Sequence, residues 1–400
     1  MKILGINTSH DTSAAFLKDG EIVFVHDEAR FRRHKYYDPD SDGHENFALM
    51  CLEREGPLDQ DHVIFASFDR RGLNLVVDKE KHVDDRLKAN ELLADLSREQ
   101  LSRARIESLA KKWDFQLEER AEMDDVLNKA LSNNQLGGQN YYFEREHHLY
   151  HAESAHHLSP FKDEDAIAIV WDGGGAQPYY EDYPNFQEME TIYRCTAMGA
   201  VNPQKQWQRL SNARFCNDFG WQWPNHTYDC LYCYEDKVEE RDGAEIIFSS
   251  RPSSGMNFSQ LSVALGCDDH GRAAGKVMGM ASYATRLYPN VHSNFTVAQK
   301  CEEESLINSL NIIRKAVELN PDVKNIVLSG GYSLNCTNNY KYLEHFPEHN
   351  FFVDPIPHDG GTAVGAALWL NRKLKDKILD EVTEILNDEG DTNYNISEAV

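Results

Sequence analysis

The sequence has no long apolar run. Its longest, AIAIVW at 166–171 and AVGAALWL at 363–370, fall far short of the roughly 20 residues a spanning helix needs, so no membrane helix is expected. It is also short of positive charge. Lys and Arg number 41 against 66 Asp and Glu, a formal net charge of −25. That excludes sequence-independent binding to a nucleic-acid backbone, which needs a basic surface. A small nucleotide held by backbone amides and a metal remains open. There is no cysteine framework: the 8 cysteines are scattered, as in a reducing compartment. Cys230 and Cys233 form a single CxxC that no second pair answers. With Cys216 and His226 they offer one reading as a small zinc site; two thiols in a Tyr- and Trp-rich segment are the other. The opening MKILGINTSH lacks an apolar stretch after a basic start, so it is not read as a secretory signal, and a cytoplasmic location is expected.

What is present is a chain long enough, at 400 residues, for two lobes with separate cores. KILGINTS alternates as a strand. AAFLKDGEIVFVHDEAR reads as a hairpin turning at Lys18-Asp19-Gly20, since Asp-Gly between apolar runs favours that turn. VIFASF is a further strand. Residues 79–136 are rich in Glu, Lys, Leu and Ala and predict amphipathic helices with solvated charges. AIAIVWDGGGAQ then repeats the device of strand and polar turn, with METIYRCTAMG as its return strand. The repetition suggests two lobes of one α/β fold with a cleft between them. Residues 177–256 show no period. GRAAGKVMGMASYA suggests a Gly-Lys turn at 275–276 before a helix, and CEEESLINSLNIIRKAVEL is a helix. The cations Arg372, Lys373, Lys375 and Lys377 read as a solvated face beside an acidic tail, 387–400.

The chemistry concentrates between His147 and Ala176. His147 and His151 are four apart in a helical segment, so both imidazoles share one face and can point at one ion. A merely histidine-rich helix, with His148, His156 and His157 nearby, is the alternative. The strand that follows ends in Asp172-Gly173-Gly174-Gly175, a carboxylate followed by glycines that admit a ligand to the backbone. Two more strand-to-helix junctions carry glycines: Gly330-Gly331, leading to Asn335, and Asp359-Gly360-Gly361, where Thr362 could cap the next helix. Asp359 is the natural third ligand. Two histidines and a carboxylate with open positions suit Fe(II) or another divalent ion.

In their order, HHLYHAESA with a strand and Asp-Gly, AGKVMGMASY, LSGGYSLNC and PHDGGTAVGAAL resemble the O-carbamoyltransferases of the NodU/CmcH type, specifically their amino-terminal domain. INTSHDTSAA and EARFRRHK fit the same start. That domain is similar to the tRNA threonylcarbamoyl transferases. The resemblance implies two RNase-H-like lobes of the actin, sugar-kinase and heat-shock-ATPase (ASKHA) type, covering the chain to about residue 370. It implies a metal at His147, His151 and Asp359, with Asp172 facing the metal and the nucleotide phosphate beside Gly173. It places Gly330, Gly331 and Asn335 at the adenosine, Gly275, Lys276 and Gly279 near the ribose, and His10 and Asp11 near the acceptor hydroxyl.

The implied reaction moves a carbamoyl group from carbamoyl-adenylate, made with ATP, to a hydroxyl of a small molecule or nucleoside. Two features depart from the pattern: Ala274 stands where the family has a glutamate, and Gly175-Ala176 stand where its strand-end motif carries one. A Gly-Pro-Arg-Ala-Leu-Gly motif, which opens the YrdC-like activating domain of full members, is not found, so a separate activating subunit is expected. The expected division is a first lobe at 1–160, a second at 161–386 and the tail. A non-catalytic adenine-nucleotide-binding module is the rival reading. An ATPase or sugar kinase is disfavoured, because phosphoryl transfer does not call for two histidines on a helix.

Overall fold

The structure, a computed structural model, describes residues 2–7, 11, 13–27, 29–30, 63–67, 140–143, 147–176, 186–197, 203–211, 236–267, 273–287 and 294–373. The chain divides into two compact units, Met1–Phe143 and Glu144–Val400. The expected helices at 79–136, the four zinc candidates, the tail and His10 lie outside the described residues.

The first unit holds a five-stranded sheet of β1 (Lys2–Asn7), β2 (Ser13–Lys18), β3 (Glu21–Asp27), β4 (Val63–Ser67) and β5 (Asn140–Phe143), in the order β3-β2-β1-β4-β5. The β1–β2 and β2–β3 pairs are antiparallel, whereas β4 runs parallel to β1 and β5 parallel to β4. The β2–β3 turn is the one expected: Asp19 (φ 55°) and Gly20 (φ 87°) are both left-handed, the geometry whose twist matches a hairpin.

The second unit is built around seven strands: β6 (Ala166–Trp171), β7 (Gln187–Cys195), β8 (Gln204–Ser211), β9 (Lys237–Arg241), β10 (Ala244–Ser249), β11 (Asn325–Ser329) and β12 (Asn350–Val353). Their order is β12-β11-β6-β7-β8-β10-β9. Within it, β8-β7-β6 form an antiparallel meander, and β11 and β12 add parallel strands on the other side of β6. This is the order and sense of the first unit again, with β9 and β10 appended. The segment 177–256 therefore contributes regular structure as well as the expected return strand. Its second hairpin turns on Asp242 and Gly243, both left-handed.

Helix α1 (His147–Leu158) packs on β6, β7 and β11 and so belongs to the second unit, ahead of the boundary expected at 160. It shows no apolar stripe because it is covered on all sides: every residue from His147 to His156 is buried. The helix through 362–373 covers another side, so closely that a Cβ on Gly365 would lie 1.8 Å from the Tyr150 carbonyl oxygen. Only glycine fits there.

Helices α2 (Ser254–Ala264), α3 (Ala274–Leu287) and α4 (Asn294–Leu319) close over a core that includes Ile167, Ile169, Trp171, Phe258, Val277, Ile313 and Ile326. Of the apolar residues on α4, Leu310, Ile313 and Ala316 are buried, while Ile307 is 58% exposed. The Gly-Lys pair is not a turn before a helix. α3 starts at Ala274, so Gly275 and Lys276 occupy its first turn. α5 (Cys336–His345) begins where expected, its N-cap being Asn335.

Candidate metal centre

Three neighbouring parallel strands, β12, β11 and β6, end at one edge of the second sheet. Ligands collect at such carboxyl ends because loops and helix starts converge there. Asp172 follows β6 directly, and its Oδ1 accepts from the amides of Gly173 (2.7 Å) and Gly331 (3.3 Å). Gly330 makes the second contact possible. Its φ is +86°, and a Cβ there would lie 2.2 Å from the Trp171 carbonyl oxygen. Asp359 lies in a single 3-10 turn (Asp359–Gly361), whose N-cap His358 accepts from the Gly360 amide. Thr362 does not cap by accepting; its Oγ1 donates to the Asp359 carbonyl.

The side chains of His147, His151, Asp172 and Asp359 converge. His147 Nε2 lies 3.1 Å from His151 Nε2, 3.3 Å from Asp172 Oδ2 and 3.4 Å from Asp359 Oδ1, and His151 Nε2 lies 3.8 Å from Asp359 Oδ1. All four residues are buried, and one ligand atom from each lies within 4.8 Å of the others. One imidazole proton cannot serve three neighbours, so a shared cation explains the arrangement better than hydrogen bonds do. The spacing fits one. At metal–ligand bonds of about 2.1 Å, donors stand about 3.0 Å apart at right angles and about 3.4 Å apart at tetrahedral angles. The residues present therefore fit a divalent ion.

The electrostatics fit as well. Burial disfavours charge on His147, but Asp359 and Asp172 outweigh it and hold the imidazole up to about 10. Burial and Asp359 push Asp172 up, yet the bond to His147 and the charges of both histidines bring it down to about 2. A positive charge is thus favoured between the two carboxylates. His148 is different. Burial, with His147 beside it, lowers it well below the ordinary value. Its Nδ1 meets Thr191 Oγ1 at 2.7 Å, and its ring fills the space under Gly175, where a Cβ would come within 2.9 Å. His148 thus supports the glycine turn.

The remaining candidates are placed as follows. Asn335 accepts from the Asn338 amide and donates to Glu302 Oε2 at 3.1 Å, so its side chain secures the 330–335 turn. Gly275, Lys276 and Gly279 lie exposed on α3, with Lys276 Nζ donating to the Cys267 carbonyl. Asp11 lies in the first unit, its carbonyl accepting from Asn7 Nδ2. The solvated face expected at 372–377 needs correction: Arg372 pairs with buried Glu153 on α1, and Lys373 Nζ sits over the ring of Trp369, 4.3 Å from its centroid. Lys375 and Lys377 lie outside the described residues. Sequence reading missed Glu188, whose Oε2 accepts from the amides of His148 and Ala176. It also missed Ser329 and Asp354, which line the same edge.

A strand order of 3-2-1-4-5 occurring twice, with polar junctions at the strand ends, defines the class: an α/β protein of two RNase-H-like units, the ASKHA type. Within that class the family is shown by sequence. Residues 2–201 and 276–368 match the family described as Carbamoyltransferase N-terminus. The chain belongs to that family. Nodulation protein NolNO of Sinorhizobium fredii (strain NBRC 101917 / NGR234) is 42% identical over 52 residues, which are 13% of this chain and 8% of that protein. Full-length HypF in its phosphate- and nucleotide-bound form matches over 93% of this chain and 55% of its own, at 13% identity and a TM-score of 0.49. A ROK family glucokinase from Streptomyces griseus, in complex with glucose and AMPPNP, matches over 92% of this chain and 98% of its own, at 12% identity and a TM-score of 0.40. No helix among the described residues is long and apolar enough to cross a membrane.

Proposed function

We propose that the chain transfers a carbamoyl group from carbamoyl-adenylate to a hydroxyl of a small molecule or nucleoside in the cytoplasm. The observation that carries this reading is the convergence of four buried donors in a chain of the carbamoyltransferase family. His147, His151 and Asp359 would hold the metal, for which the donor set suits Fe(II), with Asp172 beside them. A divalent ion there would supply positive charge for the adenylate phosphate and the carbamoyl oxygen.

The chain's own residues do the rest. The turn at 330–335 receives the adenosine, and Asn335 keeps that turn in shape by capping α5. Gly173 leaves open space at the strand end, with nothing within 4 Å of a Cβ built there. The phosphate and carbamoyl groups can approach along that side. Gly275, Lys276 and Gly279 flank the ribose. The acceptor oxygen attacks the carbamoyl carbon, AMP leaves with the bonding pair, and a general base takes the acceptor proton. Holding donor and acceptor together supplies most of the rate, with no covalent enzyme intermediate. A YrdC-like activity supplies the carbamoyl-adenylate.

The test offers pre-formed carbamoyl-adenylate to metal-loaded protein with a panel of hydroxyl acceptors. The expected result is a gain of about 43 Da on one acceptor class, the signature of transfer by proximity. Carbamoyl phosphate and ATP alone should give no product. Carbamoyl-adenylate that binds and is never consumed, with any acceptor or with water, would refute transfer and leave a nucleotide-binding module.

A further inference from the structure

His151 can act as a ligand through Nε2 only if that nitrogen carries the lone pair, so the ring proton must sit on Nδ1. Nδ1 lies 3.1 Å from Ser329 Oγ, and Ser329 Oγ lies 2.9 Å from Asp354 Oδ2. A hydroxyl has one proton and a carboxylate has none to give. The Ser329 proton therefore goes to Asp354, and only lone pairs remain toward His151. Ser329 accepts from Nδ1–H, and Nε2 is left bare, facing His147 and Asp359.

The geometry is fixed from behind. Asp354 Oδ1 accepts from the Ile356 amide at 2.9 Å, and the Asp354 amide donates to the Leu328 carbonyl at 2.9 Å. His151 and Ser329 are 0% exposed and Asp354 is 2% exposed, so water does not compete. Ser329 ends β11 and Asp354 follows β12, so two adjacent strand ends present the pair to α1.

We propose that Ser329 and Asp354 are positioning residues, a relay that fixes His151 as its Nδ1–H tautomer and thereby sets the affinity of the metal centre. The proposal rests on the metal reading above. The rival is a purely structural pair that fastens β11 to β12.

The test uses the full chain with Ser329→Ala, Asp354→Asn and the conservative Ser329→Thr. Fe(II), kept anaerobic, and Zn(II) are titrated by calorimetry, and thermal unfolding is followed without metal. Losing an outer partner of a metal histidine typically weakens binding about ten- to a hundredfold. That loss is expected for Ser329→Ala and Asp354→Asn, with recovery in Ser329→Thr and little change in the metal-free Tm. Nitrogen-15 spectra of metal-free wild type should show His151 protonated at Nδ1, and Ser329→Ala should mix the tautomers. Wild-type affinity in Ser329→Ala, a proton on Nε2 in wild type, or a loss of affinity matched by loss of fold would each overturn the relay. Wild-type protein that takes up no metal would instead refute the metal centre, and the tautomer spectrum of metal-free protein still decides the relay.

Discussion

Replacing Arg372 by alanine should make the protein's stability more dependent on pH, with the added cost at high pH. Arg372 pairs with Glu153, whose side chain is 0% exposed. The pair joins α1, which carries His147 and His151, to the helix that starts just after Asp359. Burial raises Glu153 from 4.5 to about 7, with Arg372 acting against the rise. The folded state thus holds this proton more tightly than the unfolded state does. Stability falls as pH rises between about 4.5 and 7, by about 3 kcal/mol in all.

Without Arg372 the carboxyl moves higher still. At pH 5.5 Glu153 is neutral with or without its partner, so the substitution costs only packing and one hydrogen bond. At pH 8 the wild-type group is about one unit past its midpoint and ionised, while the variant's stays protonated. The difference is about 1.4 kcal/mol of extra destabilisation at pH 8 relative to pH 5.5. Urea unfolding of both proteins at the two pH values, followed by circular dichroism, measures it. Equal costs at both pH values, or a larger cost at pH 5.5, would refute the reasoning.

Three further outcomes are expected. His151→Ala should abolish stoichiometric metal in elemental analysis, whereas a zinc ion held by Cys216, Cys230 and Cys233 would survive it. Because the carboxylates hold His147 up to about 10, its proton stabilises the metal-free fold fully below about pH 6.5, and that stability is lost as pH rises through about 10. Metal must displace this proton, so affinity should rise about tenfold from pH 7 to pH 8; calorimetry in buffers of different ionisation enthalpy would contradict this if no proton were released. Gly330→Ala should cost more than about 2 kcal/mol in denaturant unfolding, since a left-handed alanine alone costs roughly 1–2 kcal/mol and its Cβ would meet the Trp171 carbonyl at 2.2 Å.

Much of the second unit was legible because its signals are local. The i,i+4 histidines, the strand AIAIVW and the junctions at 172–175, 330–331 and 359–361 are each readable within a few residues, and the structure brings those junctions to one strand edge. The strands β8 to β10 were less legible. KVEER is the edge strand, with charged residues on most of its length, so it shows little apolar alternation. The Asp242-Gly243 turn was a usable signal that the aromatic, irregular sequence before it obscured. Ser329 and Asp354 were not legible for another reason. A serine ending a strand and an aspartate before Pro355 are ordinary residues in sequence; their meaning comes from the pairing of β11 with β12 and from α1 packing on β11. The Glu153–Arg372 pair spans more than two hundred residues of chain, which no local pattern encodes.

The repeated strand order lets the two corresponding strand ends be compared. The first strand of each sheet occupies the same place, flanked by an antiparallel neighbour on one side and a parallel one on the other. At the end of β1 stands Asn7, a neutral amide that is 0% exposed and donates to the Asp11 carbonyl. At the end of β6 stands Asp172, which steadies its own turn through Oδ1 but keeps Oδ2 toward His147. A buried carboxylate is costly unless a cation or several donors answer it. Here the answer needs α1, whose histidines gain their own burial from the same contact. Neither side is stable alone: the His147 imidazole without the carboxylates would lose its charge to burial, and Asp172 with Asp359 would repel. Each half therefore makes the other tolerable. That mutual dependence explains why a helix with no apolar stripe is seated in the middle of the fold.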